Sequence, residues 1–93
     1  MMKIRLTGYI DVPASRLDEV RAALPEHIRL TRAETGCISF NVTASSEKTG
    51  RLLVEELFAD RAAFDRHQAR TKASDWATVT AGIPRHYVIE ETV

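Results

Sequence analysis

The sequence predicts an α+β domain, an antiparallel sheet with helices packed on one of its faces. Three observations carry that expectation. Segments that alternate apolar and polar residues are interleaved with segments that repeat at helical spacing. Their order is strand, helix, strand, strand, helix, strand. Each boundary holds a turn or cap residue: Pro13, Gly36, Gly50, Asp60 and Gly82.

The first strand is read over residues 3–12. Ile4, Leu6, Ile10 and Val12 share one face, and Lys3, Arg5, Thr7, Tyr9 and Asp11 the other. Gly8 falls on the apolar face in mid-strand, where a glycine marks close approach of another group or a bulge. Pro13 ends the ladder, and Ser15 is the expected cap of the first helix, with Asp18 and Glu19 in its first turn. Leu17, Val20, Leu24, Ile28 and Thr31 form its apolar stripe. Pro25 removes a backbone donor inside that helix, so a kink or restart is expected near residue 25.

Cys37 to Ala44 reads as the second strand, with Cys37 on one face and Ile38, Phe40 and Val42 on the other. The polar segment 46–50 is a hairpin loop. Arg51 to Ala59 is the third strand, apolar on both sides: Leu52, Val54 and Phe58 on one, Leu53 and Leu57 on the other. Asp60 caps a second helix that sets Ala63, Phe64 and His67 on one face. Thr71 to Ser74 is a break, and a short helix with Trp76 and Val79 runs to Gly82. Ile83 to Thr92 is the last strand, with Arg85 and Tyr87 on one face and His86 and Val88 on the other. Two main helices and four strands in this order make a ferredoxin-like βαββαβ sandwich over a single domain, residues 1–93. Helices cover one sheet face only. The apolar residues left on the other face predict a homodimer that pairs sheet to sheet.

Composition excludes several function classes. The 93 residues hold 13 basic and 13 acidic side chains, so the chain lacks the positive charge of a nucleic-acid or polybasic membrane binder. Neither partner is expected. The lone Cys37 cannot form an internal disulfide or a thiolate-rich metal site. His27, His67 and His86 are not paired at metal-binding spacing, so no metal is expected. Lys3 and Arg5 stand where a leader would need its apolar stretch, and no apolar run reaches bilayer length. A cytoplasmic location is the expectation.

The stretch Glu34-Thr35-Gly36-Cys37-Ile38-Ser39-Phe40-Asn41-Val42 resembles a recurrent segment of the antibiotic biosynthesis monooxygenase domains. So does Leu53-Val54-Glu55-Glu56-Leu57-Phe58, followed by Asp60-Arg61-Ala62-Ala63-Phe64-Asp65-Arg66-His67. The family pattern is Glu-x-Gly-Cys, a strand with an aromatic, a hairpin, a strand ending Glu-x-Trp, then a helix with two small residues and a His. The resemblance runs through nearly the whole domain in order. It implies a homodimeric α+β barrel and oxygenation of quinol- or anthrone-type aromatics by dioxygen without metal, flavin or haem. Phe58 stands where Trp is usual, which keeps an aromatic wall and loses the indole donor. A haem-degrading branch shares the fold, but the first strand here lacks its Asn. His67 takes the position of its Trp, and Ala77, ten residues on, that of its haem-binding His. Haem breakdown is therefore not expected.

Dioxygen is a triplet and reacts slowly with closed-shell molecules. A deprotonated phenol or anthrone is electron-rich enough to pass it one electron, so the protein must hold an aromatic in a dry pocket, take a proton and stabilise the anion. His67 is the candidate base, because its ordinary pKa lies near neutrality. The competing reading is a histidine that caps the core edge. Asn41 is the candidate oxyanion donor, or else faces solvent or the dimer seam. Glu56 falls with Val54 and Phe58 on the buried side, where a carboxylate needs a partner or a raised pKa. It orients His67 or contacts substrate, or it forms a structural ion pair with Arg85 or another arginine, the plainer reading. Phe58, Phe64, Trp76 and Tyr87 are the candidate aromatic walls, with core packing the plainer role for Trp76. Arg85 and His86 stand at the pocket mouth or on a solvated edge. The alternative function is a non-oxidative dimeric module of the same fold, binding a small ligand or acting as an isomerase.

Overall fold

Alternation along the first strand gives it one buried face, and pairing on both edges puts it inside the sheet. In β1 (Lys3–Asp11), Ile4, Leu6 and Ile10 are buried on the face that also holds Gly8, and the odd-numbered residues face the other way. The computed structural model, which describes residues 2–93, continues with a single 3-10 turn at Ala14–Arg16 and then α1 (Leu17–Arg32). There follow β2 (Cys37–Ala44), β3 (Arg51–Phe58), α2 (Arg61–Lys72), α3 (Asp75–Val79) and β4 (Arg85–Thr92). The strands lie in the order β2-β3-β1-β4, and every neighbouring pair is antiparallel. This is the ferredoxin-like arrangement, with α3 added before the last strand.

The core divides into two clusters. Ile4, Leu6, Val54 and Phe58 of the sheet bury against Ala63 and Phe64 of α2. Ile10, Val12 and Leu52 bury against Val20 of α1, Trp76 of α3 and Ile83. Val42 and Tyr87 touch both clusters, and the candidate site lies between them. The close approach expected at Gly8 is that of β4. A Cβ there would sit 2.0 Å from the His86 carbonyl oxygen and 2.8 Å from Cδ1 of Tyr87. The missing side chain is what lets the Tyr87 ring lie across β1. Gly36 serves α2 in the same way, since a Cβ at its positive φ would meet the Ala63 methyl at 2.5 Å.

Several expectations are corrected. Ser15 does not cap α1; it lies in the 3-10 turn, and α1 starts without a side-chain cap. The helix does not restart at Pro25, which lies inside it on the exposed side, where a lost backbone donor costs least. Its buried stripe runs through His27, with Ile28 only half-buried. A register shift between Cys37 and Ser39 pairs Cys37 with Phe58 and places it against the core. Ile38 is thereby left half exposed, so it does not share a face with Phe40 and Val42. The last strand begins at Arg85, two residues later than expected.

Among the described residues, no helix is long and apolar enough to cross a membrane.

Candidate active site

Alternation along β3 sends Glu56 inward with Leu52, Val54 and Phe58. The residue is 5 % exposed, and its Oε1 has no hydrogen-bond partner. A carboxylate so placed is costly in its charged form. Burial, and then the negative charge of Glu34, push the Glu56 carboxyl up to about 7. Among the described residues no arginine of this chain pairs with it. Arg85 instead donates to the Ile83 carbonyl and the Thr80 hydroxyl.

The group facing Glu56 is His67, 3.7 Å from its Oε1 to the imidazole Nε2. That spacing is too long for a hydrogen bond and short enough for one to form on a small movement. His67 is 2 % exposed on the inward face of α2. The helix is started by Asp60, whose side chain accepts the Ala63 backbone N–H at 2.8 Å. His67 Nδ1 lies 2.7 Å from Oε1 of Glu34, in the turn after α1. The other Glu34 oxygen accepts from Nε of Arg70 at 2.7 Å, and Arg70 also donates to Thr31 at 3.0 Å. A carboxylate held by arginine accepts only, so the proton of neutral His67 belongs on Nδ1 and its Nε2 lone pair faces Glu56. Burial pulls the His67 pKa down, with the Arg70 charge acting in the same direction, against the opposing pull of Glu34. Burial thus favours the neutral ring, and Glu34 fixes its orientation.

Between sheet and helices lies a cavity of about 360 Å³, within the range of small-molecule sites. Phe40, Val42, Val54, Glu56 and Tyr87 line it from the sheet, and His27, His67, Gln68 and Trp76 from the helices. The His27 and Trp76 rings stack at 4.7 Å and 4°, with Phe40 edge-on to His27 at 5.3 Å. Burial, helped by the neighbouring His67 and Arg70, lowers the His27 pKa to about 3, so that imidazole is neutral too. Burial and then the Glu56 charge push the Tyr87 hydroxyl up to about 12, leaving it a phenol donor. The walls are therefore aromatic, and the polar groups that converge on the cavity either carry or accept a proton.

Five of the residues singled out from sequence meet at this cavity: Glu56, His67, Trp76, Arg85 and Tyr87. Phe58 and Phe64 do not line it. Both are buried, with the Phe58 ring 4.9 Å from the His67 imidazole and 5.8 Å from Phe64. Phe58 packs against the histidine, and neither ring offers a cavity wall. Asn41 is not at the cavity at all, because Phe40 takes the inward position on β2. Asn41 pairs in register with Glu55 on the opposite face and accepts from Nη2 of Arg32 at 3.2 Å. Cys37 is half-buried, and burial raises its thiol pKa. Sequence reasoning missed His27 and Glu34. His27 was legible, seven residues after Val20 and four before Thr31 on the helical stripe. Glu34 stands first in the Glu-Thr-Gly-Cys segment, but no periodicity tied it to His67. Among the described residues, no group of three or more His, Cys, Asp or Glu side chains is arranged to hold a metal ion.

Comparison with known proteins agrees with this fold. Residues 3–79 match the sequence profile of the family described as antibiotic biosynthesis monooxygenase. A structure from Nitrosomonas europaea, assigned to antibiotic biosynthesis monooxygenases, superposes with a TM-score of 0.83 at 19% identity, covering 99% of this chain and 90% of that one. One from Deinococcus radiodurans with the same assignment gives 0.80 at 20% identity, covering 97% and 92%. One from Bacteroides thetaiotaomicron, likewise assigned, gives 0.77 at 25% identity, covering 99% and 88%. No curated protein matches the sequence.

Proposed function

We propose that this chain, which belongs to the antibiotic biosynthesis monooxygenase family, oxidises a small quinol- or anthrone-type aromatic with dioxygen, using its own side chains and no cofactor. The observation that carries the reading is the buried Glu56 carboxyl 3.7 Å from a histidine whose other nitrogen is held by Glu34. An aromatic seated against Trp76 gives a proton to Nε2 of His67, and Glu34 stabilises the imidazolium that forms. Tyr87 and protonated Glu56 donate hydrogen bonds to the substrate oxyanion. The anion passes one electron to dioxygen, and the resulting radical and superoxide combine to a peroxide at carbon. The remaining C–H proton passes to the outer peroxide oxygen as the O–O bond cleaves, which leaves a carbonyl and releases hydroxide. The departing hydroxide takes the proton back from His67 as water. One CH₂ and one O₂ thus become one C=O and one H₂O.

The reading includes a single domain over residues 1–93, working in the cytoplasm as a homodimer. Leu53 and Val88 on the uncovered sheet face are 43% and 61% exposed, and a second copy docked there removes them from water. Sedimentation of the wild type and of Leu53→Glu tests this; a wild-type monomer at all concentrations rejects it. The Glu56–His67 pair is also suited to carrying a proton between two carbons of one substrate, which is the non-oxidative reading. Oxygen uptake with a panel of hydroquinones and anthrones separates the two. Uptake no faster than autoxidation, or undiminished in His67→Ala, rejects the oxygenase.

A further inference from the structure

Two cations stand at the exposed rim of the cavity, Lys72 at the end of α2 and Arg85 at the start of β4. Among the described residues neither is paired with a carboxylate. Arg85 is nevertheless held in place. Its Nη1 donates to the Ile83 carbonyl at 3.1 Å and its Nη2 to Oγ1 of Thr80 at 2.8 Å. Thr80 is fully buried, and its own hydroxyl donates to the Trp76 carbonyl at 2.6 Å. The guanidinium therefore hangs from the same short helix that sets Trp76 into the wall. Of its five N–H groups, three remain without a protein acceptor. A long side chain ordered before any ligand arrives has already lost its rotamer freedom, so the ligand does not have to order it.

The rest of the cavity does not neutralise these charges. Burial favours the neutral form of both its histidines, and among the described residues the one carboxyl that lines it, Glu56, lies at the sheet beside His67 and is pushed towards its protonated form by burial. The space is thus polarised, with two cations at the rim and a dry aromatic interior. We propose that the cavity selects aromatic substrates that carry a carboxylate, received by Arg85 with Lys72 beside it, while the oxidisable ring lies along Trp76 towards His67. A planar guanidinium with free N–H groups matches a carboxylate in shape as well as in charge. The inference rests on the oxygenase reading for its chemistry and on the rim alone for its specificity.

The test compares dihydroxynaphthoate with its methyl ester in oxygen uptake, alongside calorimetric titration with naphthoate, which is not oxidised. The acid is expected to exceed the ester in kcat/KM by about tenfold, mainly through KM, as one charge-assisted contact provides. Arg85→Gln brings the acid-to-ester ratio close to one, Lys72→Gln lowers it in part, and Arg85→Lys restores some of it. Thermal melting confirms that each variant is folded. Naphthoate binds the wild type, more weakly at high salt, and binding is lost in Arg85→Gln. Equal use of acid and ester, or a ratio unmoved by Arg85→Gln and Lys72→Gln together, overturns the inference and leaves the oxygenase standing. Naphthoate binding that depends on Arg85, with no uptake of oxygen from either compound, rejects the oxygenase and keeps the carboxylate site.

Discussion

Glu55 and Glu56 are neighbours on one strand, and the sheet sends them into opposite worlds. Glu55 is exposed, across from Asn41 on the uncovered face. Glu56 is buried, without a partner for its Oε1, with its pKa raised to about 7. The two histidines that follow repeat the contrast. His86 stacks on Tyr9 at 4.7 Å on the outer face, where Arg51 lies 3.7 Å over the same tyrosine ring and pairs with Asp11. That face satisfies its charges locally and in water. His67, on the helix side, is held by one carboxylate and faced by another. One set of strands thus carries a solvated face with paired charges and a dry face with frustrated ones. The proposed chemistry is assigned to the second, because there burial raises the Glu56 carboxyl to about 7.

The largest break in this comparison is catalytic. His67→Ala and Glu56→Ala, which remove the base and the donor, are each expected to lower kcat/KM for oxygen uptake by on the order of a hundredfold. Asn41→Ala, on the outer face, changes it by less than about twofold. An equal loss at Asn41 moves the chemistry across the sheet. Packing gives the next contrast. Phe58→Ala empties the space beside His67 and is expected to cost about 3–5 kcal/mol in urea unfolding. Leu53→Ala, measured at a concentration where the chain is monomeric, costs less than about 0.5 kcal/mol.

The pH dependence of stability sharpens the comparison further. The folded-state pKa of Glu56 is raised, so between about pH 4.5 and 7 the folded chain keeps a proton that the unfolded chain releases, and stability falls as pH rises. His27 does the reverse. Its folded pKa is lowered from 6.5 to about 3, so its contribution is complete above 6.5 and is lost as pH falls through that window. From about pH 4.5 to 6.5 the two slopes oppose each other. Glu56→Gln removes the first, and its stability advantage over wild type should grow by about 3 kcal/mol from pH 4 to pH 8 in denaturant titrations. A constant difference across that range means Glu56 is not held near neutrality. A smaller loss is expected at the cap of α2, where Asp60→Ala costs about 1 kcal/mol and lowers the melting temperature by a few degrees.

Much of this was legible in the residues. The order of elements, the Asp60 cap and the inward turn of Glu56 follow from local periodicity, which acts over a few residues at a time. Alternation also showed that Phe40 and Asn41 face opposite ways, but not which of them meets the helices. The bulge after Cys37 was not legible, because one extra residue on β2 has meaning only against its partner on β3. The absence of a restart at Pro25 reflects the same limit, since propensity weighs the lost hydrogen bond and cannot weigh the packing of Val20 and Thr31 on either side of it.

By itself, then, the sequence determined a ferredoxin-like sheet with one covered face, a histidine on an inward helix surface and a carboxylate on an inward strand. These are consequences of side-chain period and caps. Only the tertiary structure decided that Glu34 in a turn, Glu56 on a strand and His67 on a helix meet, and that His27 and Trp76 stack in the cavity wall beside them. It also decided that neither Phe58 nor Phe64 offers a cavity wall and that Asn41 lies on the far side of the sheet. The physical reason is that burial and charge neighbours set a proton's affinity, and both come from residues far apart in the chain that the fold alone brings together.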